Sequence, residues 1–440
     1  MSRLLFRILF ALSALWPASL LAQPTTEAPA SVTPVPREGG WLDRHESFNK
    51  LAKQGDIDVV FLGDSITQGW EGAGKEAWDA HFAKRKAANF GISGDQTQHV
   101  LWRLQNGNLE GINPKLFVIM IGTNNLPDGR SNPSETAAGV TEIVELLRKE
   151  MPDSKILLLG IFPRGEKPDD PIRGSVAAVN QEIAQLADWE NVHFLDIGPK
   201  FTEADGRLDK SIMPDFLHLS PAGYERWADA LEVKVGELLG EPHPNRVSLF
   251  DGKTLNGWVA PEEGGPPTGW DVVDGALTIV GRGDDALSTQ KFEDFDFECD
   301  WKVCRRGNSG IFYRVADYKY ILLGPEYQLI DEVTRRIRPT DKSATGANVD
   351  LFGPLAHKPI CDCDQWHHSR IVAVGPKVEH WLNGVRVLTY EFGSPEWQAQ
   401  LADSKFRRLT PFGELREGAF KLQNKAGYEA QFRDLVVRKL

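Results

Sequence analysis

Residues 41–239 alternate two kinds of segment. Four apolar runs, IDVVFLG (57–63), LFVIMIG (116–122), KILLLGIF (155–162) and VHFLDI (192–197), are short and unbroken, as strands buried on both faces should be. Between them stand helix-patterned stretches such as ETAAGVTEIVELLRKEM and VAAVNQEIAQLADW. Strand–helix alternation sustained over roughly 200 residues predicts a three-layer α/β/α domain with a parallel sheet.

After GEPHPNR (240–246), a stretch with two prolines and a glycine that reads as a linker, the period changes. FDFECDWKV (295–303) alternates Phe295, Phe297, Cys299, Trp301 and Val303 with Asp296, Glu298, Asp300 and Lys302, the period-two signature of a half-buried strand. VEHWLNGVRVLTYEF sets Asn383-Gly384 between two β-rich runs, the strongest short hairpin signal. GALTIV, SGIFYRV, EYQLI, RIVAVG and DLVVRKL are further strand candidates. Many short strands and no long helix predict an antiparallel β-sandwich. The expected organisation is a first domain over 41–240, a linker over 241–246 and a second domain over 247–440.

The N-terminal stretch and the composition refine this picture. MSRLLFRILFALSALWPASLLA (1–22) joins Arg3 and Arg7 to an apolar run ending at Ala22, the pattern of a secretory signal peptide. The competing reading, a transmembrane anchor, is short, because Pro17 and the polar stretch after Ala22 interrupt it. An exported protein, periplasmic or extracellular and without stable membrane insertion, is therefore expected. Residues 23–40, rich in Pro, Thr and Ala, read as a flexible leader. At 440 residues two domains are the default, and 41% hydrophobic with 25% charged residues describe a soluble globular protein. A formal net charge of −12 argues against a nucleic-acid partner.

Four cysteines, Cys299, Cys304, Cys361 and Cys363, allow one or two disulfides in an oxidising compartment. Cys299 and Cys304 fall on opposite sides of one strand and are not expected to pair together. CDCDQWHH (361–368) is rich in potential ligands but lacks a second cluster at metal-site spacing, so no metal is expected.

The candidate chemistry begins with FLGDS, which puts Ser65 at the carboxyl end of a buried strand, the edge where open parallel sheets bind ligands. Serine needs a base, a group to orient that base, and donors for the oxyanion. For an isolated GDS, the simpler reading is that Asp64 or Ser65 only caps a helix. PDFLHLS (214–220) supplies Asp215 and His218 at a spacing that lets the carboxylate reach Nδ1–H and leaves Nε2 free. NFGISGDQT (89–97) supplies Gly94, whose N–H a ligand can approach closely, and MIGTNN (120–125) supplies the Asn124 amide. Each stretch alone is weak; four at strand ends in this order make a site.

With Gly63-Asp64-Ser65, Gly94, Gly122-Thr123-Asn124 and Asp215-Phe216-Leu217-His218, residues 50–239 resemble the SGNH (GDSL-type) hydrolase family. NFGISGDQTQHVLWRLQNG, LLGIFPRGEKP and DFLHLSPAGY are similar to its subfamily of platelet-activating-factor acetylhydrolase catalytic subunits. The resemblance implies a flavodoxin-like fold with Ser65 as nucleophile, His218 as base and Asp215 orienting His218. Ser65 N–H, Gly94 N–H and the Asn124 side chain would form the oxyanion hole. It implies no cofactor and a preference for short acyl groups, acetyl above all. Trp70 and Trp102 could close the acyl pocket or could be core.

SLFDGKTLNGW, GNSGIFYRV, GPEYQLID, VEHWLNG and GSPEWQ make 247–440 resemble the 3-keto-disaccharide hydrolase domain family, with a concanavalin-like β-sandwich. Arg314, Glu326 and His380, with Asp331, are the candidate polar groups, and Glu326 or His380 could be acid or base beside a sugar ketone. Trp258, Trp366 or Trp381 could stack on a sugar or belong to the core. Family members commonly carry Leu-Gln-Asp-His-Gly where this chain reads Leu422-Gln423-Asn424-Lys425-Ala426-Gly427. The expected protein is an exported serine esterase acting on acylated carbohydrate or another small ester. Its second domain would be either a second, 3-keto-glycoside-cleaving enzyme or a glycan-binding module.

Overall fold

Five parallel strands form the first sheet: β1 (Val59–Gly63), β2 (Ala87–Gly91), β3 (Leu116–Met120), β4 (Lys155–Leu159) and β5 (Val192–Leu195), in the order β2-β1-β3-β4-β5. The computed structural model describes residues 28–127, 131–318, 321–409 and 412–440, so the expected signal peptide lies outside the described residues. Alternate residues feed opposite faces of the sheet. Val60, Leu62, Phe117, Ile119, Ile156 and Leu158 meet α5 (Pro133–Glu150) through Val140, Ile143 and Leu147. Val59, Phe61, Leu116, Val118 and Leu157 meet α7 (Pro221–Leu238) through Tyr224, Trp227, Leu231 and Val235. Double-sided burial is why these strands read as unbroken apolar runs. No helix among the described residues is long and apolar enough to cross a membrane.

The leader differs from a flexible segment from residue 28 onward. Ala30–Val32 form a 3₁₀ turn. The buried Ser31 hydroxyl donates to Glu135 O at 2.6 Å, Thr97 Oγ1 donates to Ser31 O at 2.8 Å, and Val35 N–H donates to Gln98 O at 3.3 Å. Small polar residues let this segment satisfy its own backbone against the domain.

The second half forms two antiparallel sheets in a sandwich. One contains β7 (Trp258–Val259), β10 (Ala286–Phe292), β12 (Asn308–Asp317), β13 (Leu322–Leu323), β14 (Glu326–Ile330) and β18 (Gly418–Leu422). The other contains β6 (Arg246–Ser248), β8 (Trp270–Val273), β9 (Ala276–Ile279), β11 (Phe295–Val303), β15 (His367–Val374), β16 (Lys377–Leu382), β17 (Val385–Glu391) and β19 (Ala430–Lys439). The linker is thus partly strand, since Arg246 pairs with Arg438.

Phe295, Phe297, Cys299, Trp301 and Val303 fill the space between the sheets, as their alternation requires. The opposite face of β11 is not solvated, however. Asp296 is buried under Arg370 and Arg438, and Glu298 accepts from Lys234 of α7 at 2.7 Å. That face docks on the first domain, and Trp189 stacks on His368 with ring centroids 4.5 Å apart. All four cysteines are free thiols.

Candidate active site

The four blocks converge at the carboxyl edge of the first sheet. Asp64 caps the four-residue helix Ser65–Gln68 by accepting from Ile66 N–H at 2.9 Å. The capping role thus falls to Asp64 and leaves the Ser65 side chain free for chemistry. Ser65 Oγ lies 2.9 Å from His218 Nε2. His218 Nδ1–H donates to Asp215 Oδ2 at 2.7 Å, while Asp215 Oδ1 accepts from the His218 and Leu217 N–H groups at 2.7 and 3.1 Å. Phe216 takes a left-handed φ of 58°, which folds the turn so that Asp215 reaches back to the ring.

Partial burial would raise the Asp215 carboxyl, but the hydrogen bonds from the His218 ring and backbone outweigh it and hold the group below its ordinary value. An ionised Asp215 fixes Nδ1–H as the protonated nitrogen and leaves Nε2 to accept the serine proton.

Gly94 sits in a turn at φ 77°, and no described group accepts from its N–H or from that of Ser65. Asn124 Nδ2 donates to Asp95 O at 3.0 Å and lies 3.4 Å from Asp64 Oδ2. Burial pushes the Asp64 carboxyl up to about 7, against the pull of the Ile66 N–H.

Arg37, from the expected leader, completes the surroundings and has no sequence signal of its own. It donates to Ser93 O at 2.8 Å and to Asp95 Oδ1 at 3.3 Å, bracketing Gly94. A Cβ at Gly94 would lie 3.2 Å from its guanidinium, so both the backbone angle and the neighbour favour glycine there. Buried Asp95 also accepts from Trp41 Nε1 at 2.6 Å and Arg103 Nε at 2.9 Å. Trp70 is core, packed among Phe61, Phe82, Tyr224 and Trp227, and Trp102 packs on Trp41 and His45.

The second-domain candidates are not brought together. His380 is fully buried between the sheets, where its Nδ1–H donates to Gly346 O at 2.9 Å and its Nε2 accepts from Tyr313 Oη at 2.8 Å. Burial pushes it down to about 4. Arg314 has φ 50° and is spent on the Glu293 and Gly375 carbonyls and on Asp294. Asp331 caps Glu332–Arg335 and also accepts from Arg306 N–H, so it is structural even though Asp362 and Cys363 lie within 4.8 Å of it.

Glu326 stands apart, on the outward face of its sheet with Phe312 and Lys421. Burial pushes its carboxyl up to about 7 against the pull of Lys405, Lys421 and Lys425. Lys421 Nζ lies 3.0 Å from Asp285 and over the Phe312 ring. Trp258 and Trp381 are core, with indole N–H groups bonded to Leu249 O and Glu379, and half-buried Trp366 lies under Arg433.

A five-stranded parallel sheet in this order, with serine, histidine and aspartate in hydrogen-bonded sequence at its carboxyl edge, defines a serine hydrolase of the SGNH class. The GDSL-like lipase/acylhydrolase family matches residues 61–226, and the 3-keto-alpha-glucoside-1,2-lyase-like domain family matches residues 245–438. The chain is 39% identical over 223 residues to platelet-activating factor acetylhydrolase IB subunit alpha1 of Rattus norvegicus, covering 50% of this chain and 93% of that protein. It is 40% identical over 214 residues to the alpha2 subunit of the same organism, covering 48% and 91%. Among solved structures, a GDSL-like lipase from Bacteroides thetaiotaomicron is 23% identical with a TM-score of 0.36, covering 44% of this chain and 97% of that one. The chain belongs to the GDSL-like lipase/acylhydrolase family and carries a 3-keto-disaccharide hydrolase domain behind it. It is a carboxylic ester hydrolase.

Proposed function

We propose that this protein, after export, removes short acyl groups, acetyl foremost, from carbohydrate. Ser65 Oγ attacks the ester carbonyl as His218 Nε2 takes its proton. The Ser65 and Gly94 N–H groups and the Asn124 amide receive the oxyanion. His218 then returns the proton to the departing sugar hydroxyl, and water releases the acyl group from Ser65 by the same route. The observation that carries the reading is the hydrogen-bonded run Ser65–His218–Asp215. Sugar as the acyl acceptor is supported by the fused domain of the 3-keto-glucoside type.

The first test is hydrolysis of p-nitrophenyl acetate against longer acyl chains, in wild type and Ser65→Ala. Acetate turnover should lead the series and fall by ~10⁴-fold or more in the variant. Retained turnover would remove Ser65 from the mechanism. Acetylated xylan and glucan oligosaccharides then test the acceptor.

A second reading is favoured by Glu326, a buried carboxyl on the outward face of its sheet that burial raises to about 7 against the pull of Lys405, Lys421 and Lys425. In it the second domain cleaves 3-keto-glycosides, with Glu326 moving the proton of the C–H next to the ketone. Ser65→Ala should keep such turnover and Glu326→Gln should lose it. Absence of turnover in both proteins would leave the domain a glycan-binding module.

A further inference from the structure

Where the two domains meet, a cleft of about 300 Å³ opens. Ile161, Pro163 and Asp196 bring the first domain to it, and Leu355, His357 and Val385 bring the second. These first-domain residues follow β4 and β5, so the cleft opens on the carboxyl edge that also carries the triad. None of its lining residues belongs to the triad or the oxyanion donors.

The cleft is a fixed feature because a backbone contact closes one side of it. The turn Asn383-Gly384, with φ of 48° and 74°, presents Gly384 O to the Asp196 N–H at 2.9 Å. A Cβ at Gly384 would fall 2.2 Å from Phe194 O, so only glycine permits this approach.

The walls are mostly apolar: Ile161, Val176, Leu355 and Val385. Of the polar groups among them, Asn180 is bonded to the Ile161 backbone, Arg173 to the Gly165 and Gly206 carbonyls and Arg386 to Glu379, while Asp196, Gln181 and His357 keep free capacity. Asp196 Oδ1 accepts from Gly198 N–H at 2.8 Å, while Oδ2 accepts no hydrogen bond among the described residues. Gln181 and His357 line the cleft, are exposed, and make no side-chain hydrogen bond among those residues. Burial pushes the Asp196 carboxyl up to about 6, against the pull of Arg386, so a hydroxyl donor there would relieve a desolvated group.

Three occupants can be compared. An alkyl chain would suit the walls but leave Asp196 Oδ2, His357 and Gln181 dry, at ~1–3 kcal/mol for each unsatisfied group. A phosphate would meet Arg173 and Arg386, but the first is engaged by the Gly165 and Gly206 carbonyls and the second by Glu379, and the phosphate would also face the Asp196 carboxyl. A sugar ring offers apolar C–H faces to the walls and hydroxyls that both donate and accept at the rim. Concave sites of this size, mostly apolar with a few polar groups, are characteristic of small-ligand binding at domain interfaces.

We infer that the interdomain cleft is a saccharide-binding site, separate from the ester-cleaving site, that takes a neutral mono- or disaccharide unit. A glycan seated there would lie along the sheet edge towards Ser65. The inference does not depend on which ester the first domain cleaves, because its readout is binding.

Calorimetric titration of the full-length protein tests it, in a Ser65→Ala/Glu326→Gln background that keeps both other sites silent. The probes are cellobiose, maltose and xylobiose, with decanoate as the alkyl competitor. At least one disaccharide should bind. Val385→Trp, which fills the cleft, should weaken it by about tenfold or more, and His357→Ala and Gln181→Ala should each weaken it a few-fold. These last two residues are exposed, so the test stands even if Val385→Trp folds poorly. No disaccharide binding, binding indifferent to all three substitutions, or cleft-dependent binding of decanoate in preference to sugar would overturn the inference.

Discussion

In the first domain, residues as far apart as Ser65 and His218 meet within a hydrogen bond at one edge of a sheet. In the second domain, Arg314 and Glu326 lie on paired strands of one sheet and His380 on the facing sheet, and the three go to different places. The difference follows from topology. Every crossover in a parallel sheet returns the chain to the same end, so all strand ends deliver side chains to one edge. In an antiparallel sandwich, alternation sends neighbours to opposite faces: Tyr313 goes inward to His380, while Phe312 faces outward with Glu326. A register shift between Phe312 and Val315 and the left-handed φ of Arg314 then turn that arginine to carbonyls at the sheet margin. Sequence neighbours on strands are therefore a poor guide to a shared site.

The sharpest way to break the comparison is to remove one donor from the edge. Asn124→Ala should lower kcat for acetate ester hydrolysis by ~10²–10³-fold if its amide receives the oxyanion. Steady-state kinetics showing no loss would separate Asn124 from the first-domain constellation.

The counterpart in the second domain is His380→Ala. It leaves Gly346 O without its partner and Tyr313 Oη with Tyr390 Oη alone, in a closed interior. Stability of that domain should fall by about 2–4 kcal/mol in denaturant unfolding, while acetate turnover of the folded protein stays unchanged. Loss of turnover at full folding would tie the sandwich core to the esterase.

Arg37→Ala tests whether the leader belongs to the catalytic edge. By loosening the Gly94 turn it should reduce kcat by about tenfold with KM little changed, and Arg37→Lys should recover part of the loss.

The smallest effect is a pH dependence. The Asp64 carboxyl is raised from 3.8 to about 7, so the native state holds its proton more tightly than the unfolded chain does. Its contribution favours folding below 3.8 and is lost as pH rises to about 7. Asp64→Asn keeps a capping oxygen without the titration. Relative to that variant, wild type should lose a few degrees of melting temperature between mildly acidic and mildly alkaline buffer.

Much of the first domain was legible because its signals are local. Ser65 and Asn124 each follow an apolar run that only a doubly buried strand explains, and Asp215 and His218 share one turn. The strand before Gly94, Ala87–Gly91, reads AANFG and is only partly buried, so it carries no such run. The strands of the second domain were equally legible from their alternation, and the Asn383-Gly384 hairpin from its turn chemistry. The polar face of β11 was not, because alternation says that a face differs from its opposite without saying what covers it. Asp296 is buried by Arg370 and Arg438, and Glu298 is half-buried against Lys234, all of which come from distant segments.

By itself the sequence determined the two folds, the five residues at the sheet edge and the turn that joins β16 to β17, since each rests on hydrophobic period or on chemistry within a few residues. Only the tertiary structure decided that Arg37 clamps the Gly94 turn, that Asp64 is a dry carboxyl, that His380 is core and that Gly384 meets Asp196 beside an open cleft. Those outcomes depend on which surfaces meet after folding. Burial, charge pairing and backbone approach between segments hundreds of ångströms of chain apart have no local pattern to announce them.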